Sequence, residues 1–340
     1  MKAISLVLLM LICLTLSACQ SISVVSSSPA AIVTSLSTPV VEASAINKPE
    51  GIGNLAAQIL NAAMKSNYTE IARLMDSVNS TSAINSLFFQ VILERIKYEY
   101  NDLDVVPVFQ MFLDHHLDVN AIEPSDPNDT RTKQTLIMTS ACTVGDFVKP
   151  LVLAGAEVNP DDANGTPLGC VSSRRNPELV RFLLEHGARL DVRNPLLSAM
   201  RPFVHSNFEK ENVEIVKMLI EAGSNVNDKD DQGNTPLSTA AMYNQKELVQ
   251  YLIDHGAQVN AKNKVGRTPL MEAVAAIEGA KSEDAVLEVV KIMLKAGANP
   301  NDAPDRDGDT VISLADKYKR PKVAAEIWKY LNAQSNKSDF

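Results

Sequence analysis

What the chain lacks is most of the usual chemistry. It has no G-x-S-x-G, no H-E-x-x-H, no P-loop and no cysteine pair at metal-ligand spacing, so the common marks of a serine hydrolase, a zinc protease, a nucleotide cradle and a zinc site are missing. Its five histidines do not assemble into a ligand set: His186 and His255 share one place before a glycine, and His115, His116 and His205 follow no ligand spacing. Neither a metal nor any other cofactor is expected. The acidic run Asp302, Asp305, Asp307, Asp309 fails as a calcium loop. With Gly308 at the sixth position the twelfth would be Leu314, which cannot supply the bidentate carboxylate. Asp228, Asp230 and Asp231 with Gly233 fail in the same way, putting Thr239 at position twelve; both runs read as turns. Basic charge is short as well. Lys and Arg number 32 against 41 Asp and Glu, a net charge of −9, which excludes nucleic acid as a partner and fits solubility or a basic protein. The apolar run from Ile4 to Leu16, 13 residues, is too short to span a bilayer.

What is present is a repeat. In the stretch from Asp231 to Gly256, Thr235 and Pro236 open a helix: the threonine hydroxyl accepts a free first-turn N–H, and proline at the first position loses nothing by lacking one. Leu237, Ala240 and Ala241 form its apolar face, the alanines small enough to admit another helix closely, and it ends near Asn244. A second helix starts around Lys246 with the stripe Leu248, Val249, Leu252, Ile253 and stops at Gly256, which takes a left-handed conformation without a clash. The pattern restarts at Thr268, 33 residues after Thr235. A helix pair of that length cannot bury both faces alone and must stack on its neighbours.

The G-x-T-P-L openings, the alanine pair and the L-[IL]-x-H-G-A endings at Gly187 and Gly256 resemble the ankyrin repeat, which implies an all-α ankyrin-repeat solenoid of helix-turn-helix units with short β-hairpin tips. Openings fall at Thr135, Thr166, Asn194, Thr235, Thr268 and Thr310, and closing glycines at Gly155, Gly187, Gly223, Gly256 and Gly297. Second helices keep one stripe: Phe147, Val148, Leu151, Val152; Leu179, Val180, Leu183, Leu184; Ile215, Val216, Leu219, Ile220; Val289, Val290, Met293, Leu294. Residues 51–130 read as divergent N-terminal helical repeats, one pair over 54–78 without T-P-L and another over 86–116 with His116 in the place of the glycine; residues 131–340 are the ankyrin repeats with a C-terminal cap containing Trp328. Two units are long because of insertions between their helices, at Arg201–Glu211 and Ala276–Asp284; in solenoids such insertions gather on one face, often the binding face. The first carries Phe203, His205 and Phe208, suited either to a partner or to local packing over helix ends.

Residues 1–18, with Lys2 ahead of the apolar run, read as a signal peptide, and Leu16-Ser17-Ala18-Cys19 resembles a bacterial lipobox, which implies a lipid on Cys19. Gln20 after the cysteine is similar to lipoproteins sorted to the outer membrane. Residues 19–50, rich in Ser, Ala, Val, Thr and Pro, read as a flexible tether with an end-to-end distance of roughly 30 Å. Cys142 and Cys170 are placed on adjacent first helices whose axes stand roughly 8–10 Å apart, beyond disulfide reach, so free thiols are expected.

The resemblance implies a non-enzymatic module that binds a protein partner on a concave face of hairpin tips and exposed first-helix positions, and is a monomer when free. Counting from the openings, with the insertion added, gives Arg174, Arg201, Phe203, Phe208, Asp230, Asp231, Thr239, Met242, Tyr243, Lys264 and Arg267 as partner-binding residues. Thr139, Cys142 and Glu272 fall in the same count. Lipid-anchored ankyrin proteins similar to this one are immunity proteins that neutralise antibacterial lipase effectors in the periplasm. An envelope scaffold or stress-protection factor is the alternative of the same class. A periplasmic hydrolase would need its site in residues 52–130, where Glu94, Glu99, Asp102 and Asp104 are the acidic candidates.

Overall fold

The computed structural model describes residues 49–97, 104–122, 134–160, 165–191, 194–200, 210–276 and 282–338. Those residues form sixteen helices arranged as eight consecutive pairs. The first two pairs are α1 (Pro49–Met64) with α2 (Tyr68–Met75), and α3 (Thr81–Lys97) with α4 (Val105–Asp114). Then follow α5 (Leu136–Ala141) with α6 (Val148–Leu153), α7 (Pro167–Ser173) with α8 (Pro177–Glu185), and α9 (Pro195–Ala199) with α10 (Lys210–Glu221). The last three are α11 (Pro236–Met242) with α12 (Lys246–Asp254), α13 (Pro269–Val274) with α14 (Glu283–Lys295), and α15 (Val311–Lys317) with α16 (Pro321–Ser338). First helices stack on first helices (α1 on α3, α5 on α7, α7 on α9, α11 on α13, α13 on α15) and second on second (α2 on α4, α8 on α10, α12 on α14, α14 on α16). The all-α solenoid is the observed fold.

Local chemistry starts the helices where the sequence places them. Thr166, Thr235, Thr268 and Thr310 accept the N–H three residues on at 3.0, 3.2, 3.3 and 3.1 Å, and Asn194 does the same for Leu197 at 3.1 Å. At Thr235 and Thr310 the serine three residues later returns its hydroxyl to the cap N–H, completing a capping box. The divergent pairs use other caps: Asn67 for α2 and Asp104 for α4. The second pair opens earlier than its periodicity suggests, at Thr81 rather than near Ser86, because Ser80 Oγ accepts the N–H of Ala83 at 3.2 Å. His116 stands at φ +63, the left-handed conformation that glycine supplies at Gly155, Gly187, Gly223, Gly256 and Gly297.

The expected stripes are the core. Phe147, Val148, Leu151, Val152, Leu248, Val249, Leu252, Val289, Val290, Met293 and Leu294 are all buried, and one continuous apolar cluster runs from Leu55 to Ile327. The divergent pairs join it through aromatics. Phe88 lies 5.6, 4.8 and 5.0 Å, centroid to centroid, from Phe109, Phe112 and Phe147, which knits the second pair to the third. Arg95, buried on α3, pairs with Asp146 at 2.5 Å across the same joint.

Two expectations are corrected. Among the described residues the tips are not strand hairpins: the sole bridge is the isolated pair Ile122–Thr135. The tips at Asp230–Asn234, Asn263–Arg267 and Asp305–Asp309 are five-residue turns, each closed by two backbone bonds of 2.9–3.0 Å, too short to extend a ladder. Cys142 and Cys170 are not free thiols either, but a disulfide with their Cα atoms 4.9 Å apart. The inter-axial estimate fails because Cys142 is the cap residue after α5 and not a residue on its cylinder. The neighbouring Ala141 and Gly169 are also small enough for the two backbones to approach.

Candidate partner-binding face

The tips are built by side chains that fold back on their own turns. Asp230 Oδ1 accepts the N–H groups of Gln232 and Asn234 at 2.8 Å each; Asn263 Oδ1 does the same for Val265 and Arg267, and Asp305 Oδ1 for Asp307 and Asp309. This is the Asx-turn arrangement, and it gives the acidic runs a structural task. Each tip then joins the next through backbone: Lys264 N–H donates to Gln232 O, and Arg306 N–H to Val265 O, both at 2.9 Å. Gly233 sits at φ +79 under that contact, where a Cβ would meet Lys264 N at 3.0 Å.

Set against this geometry, the sequence candidates divide. Thr239, Met242 and Tyr243 lie half-buried along the end of α11, with Tyr243 as its cap residue; burial raises the pKa of the Tyr243 phenol. Asp231 and Lys264 are exposed on neighbouring tips, the two that flank α11 and α12 in the chain. Arg174 is exposed at the end of α7, two repeats away. Asp230 is half-buried with its carboxylate engaged in the turn. Arg267 donates Nε to Asp305 Oδ2 at 2.7 Å and has Asp307 at 3.8 Å, so its charge is largely met within the protein. Its side chain is 20% exposed and that of Asp305 is 1%. Arg201, Phe203, His205 and Phe208 lie outside the described residues, as do the signal peptide, Cys19, the tether through residue 48 and most of both insertions. The first-helix count overreaches at three further positions: Thr139 and Glu272 are buried, and Cys142 is tied to Cys170. A side chain four residues past the opening faces the adjacent repeat as much as the solvent.

Glu272 is the most unusual of these. It is 5% exposed, and its Oε1 accepts from Asn263 Nδ2 at 3.1 Å while the other Nδ2 hydrogen serves Asn234 Oδ1 at 3.0 Å. Burial raises its pKa and Asp305 adds to the rise, opposed by Arg267 and the Asn263 hydrogen bond. For Asp305 burial also pushes upward, but the Arg267 hydrogen bond and the turn N–H groups of Asp309 and Asp307 outweigh it and hold the carboxyl below its usual range.

Sequence reasoning passed over the asparagines that tie repeats together. Asn159 Nδ2 donates to Gly187 O at 2.9 Å and its Oδ1 accepts from Arg189 N at 2.8 Å; Asn227 serves Gly256 and Gln258, and Asn260 serves Gly297 and Asn299, in the same way. The signal was legible, an asparagine four residues after every closing glycine but Gly187, where Asp191 stands. Arg320 was also passed over: it is buried and donates to Ala276 O at 2.8 Å, satisfying the end of α13. The histidines behave as fixtures, with Nδ1 of His115, His186 and His255 against the carbonyl four residues back at 2.7–2.8 Å. Of the acidic candidates for a hydrolase, Asp104 caps α4, Glu94 is half-buried on α3, and Glu99 and Asp102 lie outside the described residues.

Comparison with known proteins agrees with this architecture. Residues 204–303 match the family model "Ankyrin repeats (3 copies)". A protein of Acanthamoeba polyphaga mimivirus that bears the name of a putative ankyrin repeat protein is 32% identical in an alignment covering 69% of this chain and 42% of its own length. A second protein so named, of Fowlpox virus (strain NVSL), is 32% identical over 29% of this chain and 29% of its own length. The human transient receptor potential cation channel subfamily A member 1 is 35% identical over 26% of this chain and 8% of its own. The chain thus spans less than half the length of each of these relatives. From the capped first helices, the left-handed closing turns and the family match together, the fold is an all-α ankyrin-repeat solenoid, and its repeats are a protein-interaction module.

Proposed function

We propose that this protein is a non-enzymatic binder held on the periplasmic face of the outer membrane by a lipid on Cys19, where it neutralises a secreted antibacterial effector by occluding it. The observation that carries the binding surface is the grouping of Thr239, Met242 and Tyr243 on α11 with Asp231 and Lys264 on the adjoining tips, which offers an aromatic and a thioether inside a polar rim. Arg174 extends the concave face towards the N-terminal repeats, and Phe203 and Phe208 of the insertion remain apolar candidates from the sequence alone. Asp230 and Arg267 support the face by shaping the tips. The extracytoplasmic location draws support from the Cys142–Cys170 disulfide, because such bonds persist in oxidising compartments and are rare in the cytosol. It also draws support from the lipobox-like Leu16–Cys19 and from Gln20.

The test is affinity capture from envelope membranes with the intact lipidated chain and with a Met242→Ala, Tyr243→Ala double variant. Recovery of a secreted toxin whose activity the wild-type protein suppresses, and the double variant suppresses at least tenfold less, is the expected result. Recovery of resident envelope proteins alone would replace this reading with a scaffold. A captured toxin that stays active in the complex would overturn it.

A further inference from the structure

Two tips of the candidate face are joined by more than backbone. Asn263 opens the tip 263–267, and its Oδ1 accepts the N–H groups of Val265 and Arg267 at 3.1 and 2.9 Å, which turns its Nδ2 outward. Both Nδ2 hydrogens are used. One goes to Oδ1 of Asn234 on the preceding tip at 3.0 Å, the other to Oε1 of Glu272 on α13 at 3.1 Å. Asn234 in turn donates Nδ2 to Asp230 Oδ2 at 3.1 Å. Ionised carboxylates accept and cannot donate. The chain Glu272–Asn263–Asn234–Asp230 therefore ends in acceptors on both sides, and one orientation of each amide satisfies it. Asp230 and Asp305 hold the equivalent place in the tips before and after, five residues ahead of Thr235 and Thr310, and close the same turn with a carboxylate. The turn alone thus does not need asparagine at 263; the two donated bonds are what its amide adds.

A carboxylate buried as deeply as that of Glu272, 5% exposed, costs stability, and a glutamine there would accept the same bond at less cost. A glutamine could also turn its NH2 towards Asn263, and the direction of the chain would be lost. What the carboxylate brings is that direction. The result is a fixed relation between the tips. Lys264 N–H donates to Gln232 O at 2.9 Å, so Asp231 and Lys264, the exposed second residues of the two tips, are carried on directly bonded backbone. We propose that Asn263, oriented by Glu272, is the positioning residue of the partner-binding face: it locks the tips that carry Asp231 and Lys264 in one arrangement in the free protein, so that binding need not order them. That the tips meet a partner rests on the proposed function; the lock is a property of the free chain, and the two can fail separately.

The test is amide exchange in the full chain, followed by NMR with no partner present. Asn263→Asp keeps the turn but loses both donated bonds, and it sets a second carboxylate against Glu272, on which Arg267 and Asp305 are the other charged groups acting. At pH 7 exchange at Lys264 N–H should run roughly tenfold faster than in wild type, the scale of one hydrogen bond. Gly266 N–H, bonded to Asn263 O inside its own tip, should be unchanged. Near about pH 5 the gap should close, because two facing carboxylates take up a shared proton above their ordinary range, and that proton restores a donor. Adding Glu272→Gln should restore the wild-type rate at pH 7, with donor and acceptor exchanged. Glu272→Gln alone covers the case in which Asn263→Asp does not fold: it should speed exchange at Lys264 while raising the melting temperature at pH 7, a split that a purely stabilising role would not give. Wild-type exchange at Lys264 in either single variant would overturn the proposal. So would a faster rate in Asn263→Asp that neither acid nor Glu272→Gln reverses.

Discussion

Opening the Cys142–Cys170 bond is the sharpest perturbation available, because its magnitude follows from one number in the structure. The bond joins residues 28 apart, and the loop it closes contains the whole of α6. Cross-linking a loop of that size removes about 12 cal/mol/K from the unfolded ensemble, or about 3.5 kcal/mol at 25 °C. The native state gives up little in return, since both cysteines are only half-buried and serine replaces each with no cavity in the core. Cys142→Ser with Cys170→Ser should therefore lose about 3.5 kcal/mol relative to the oxidised wild type, measured by urea denaturation followed by dichroism, and reduced wild type should match the double variant. Non-reducing peptide mapping should recover the two cysteine peptides as one cross-linked species. Separate peptides, or identical denaturation curves for the oxidised protein and the double variant, would refute the geometry of α5 against α7 from which the argument starts.

Other consequences are equally specific. Gly256→Ala should cost about 1–2 kcal/mol from positive φ alone, since a Cβ there meets nothing within 4 Å, whereas Gly233→Ala adds a backbone clash at 3.0 Å and should lower the melting temperature further; equal losses would contradict the tip packing. Glu272→Gln keeps the acceptor for Asn263 Nδ2 while removing a buried charge. A carboxyl whose folded pKa is raised contributes most below its unfolded value of about 4.3 and loses that contribution as pH rises through the folded pKa. Glu272→Gln should thus be more stable than wild type at pH 7 and converge with it near pH 4 in thermal melts; a gap that widens in acid would reverse the assignment. Asp305, with its folded pKa lowered, has the opposite sign: its contribution is present above about pH 4 and is lost as pH falls through the folded value, so Asp305→Asn should destabilise at pH 7 and much less in strong acid.

The sequence by itself determined the repeat, because every signal needed for it is local. A threonine or asparagine cap acts on the N–H three residues on, proline acts at its own position, and the left-handed closing residue acts through its own φ, so Thr235, Pro236 and Gly256 place two helices without reference to the rest of the chain. The apolar stripes are legible for the same reason, and they correctly extended the array into the divergent pairs, where the helices start earlier than expected, at Pro49 inside the stretch read as tether and at Thr81 ahead of Ser86. The functional face was less legible. Counting positions along a helix gives its direction but not what the neighbouring repeat brings, so Glu272 and Thr139 could not be seen to be covered. What tertiary structure alone decided are the contacts whose partners lie about one repeat apart. These are the Cys142–Cys170 bond, the pairing of Arg267 with Asp305 and the return of Arg320 to α13. Each depends on a shift of a few ångströms between stacked helices, and that spacing is set by the packing of the whole array and not by any stretch within it.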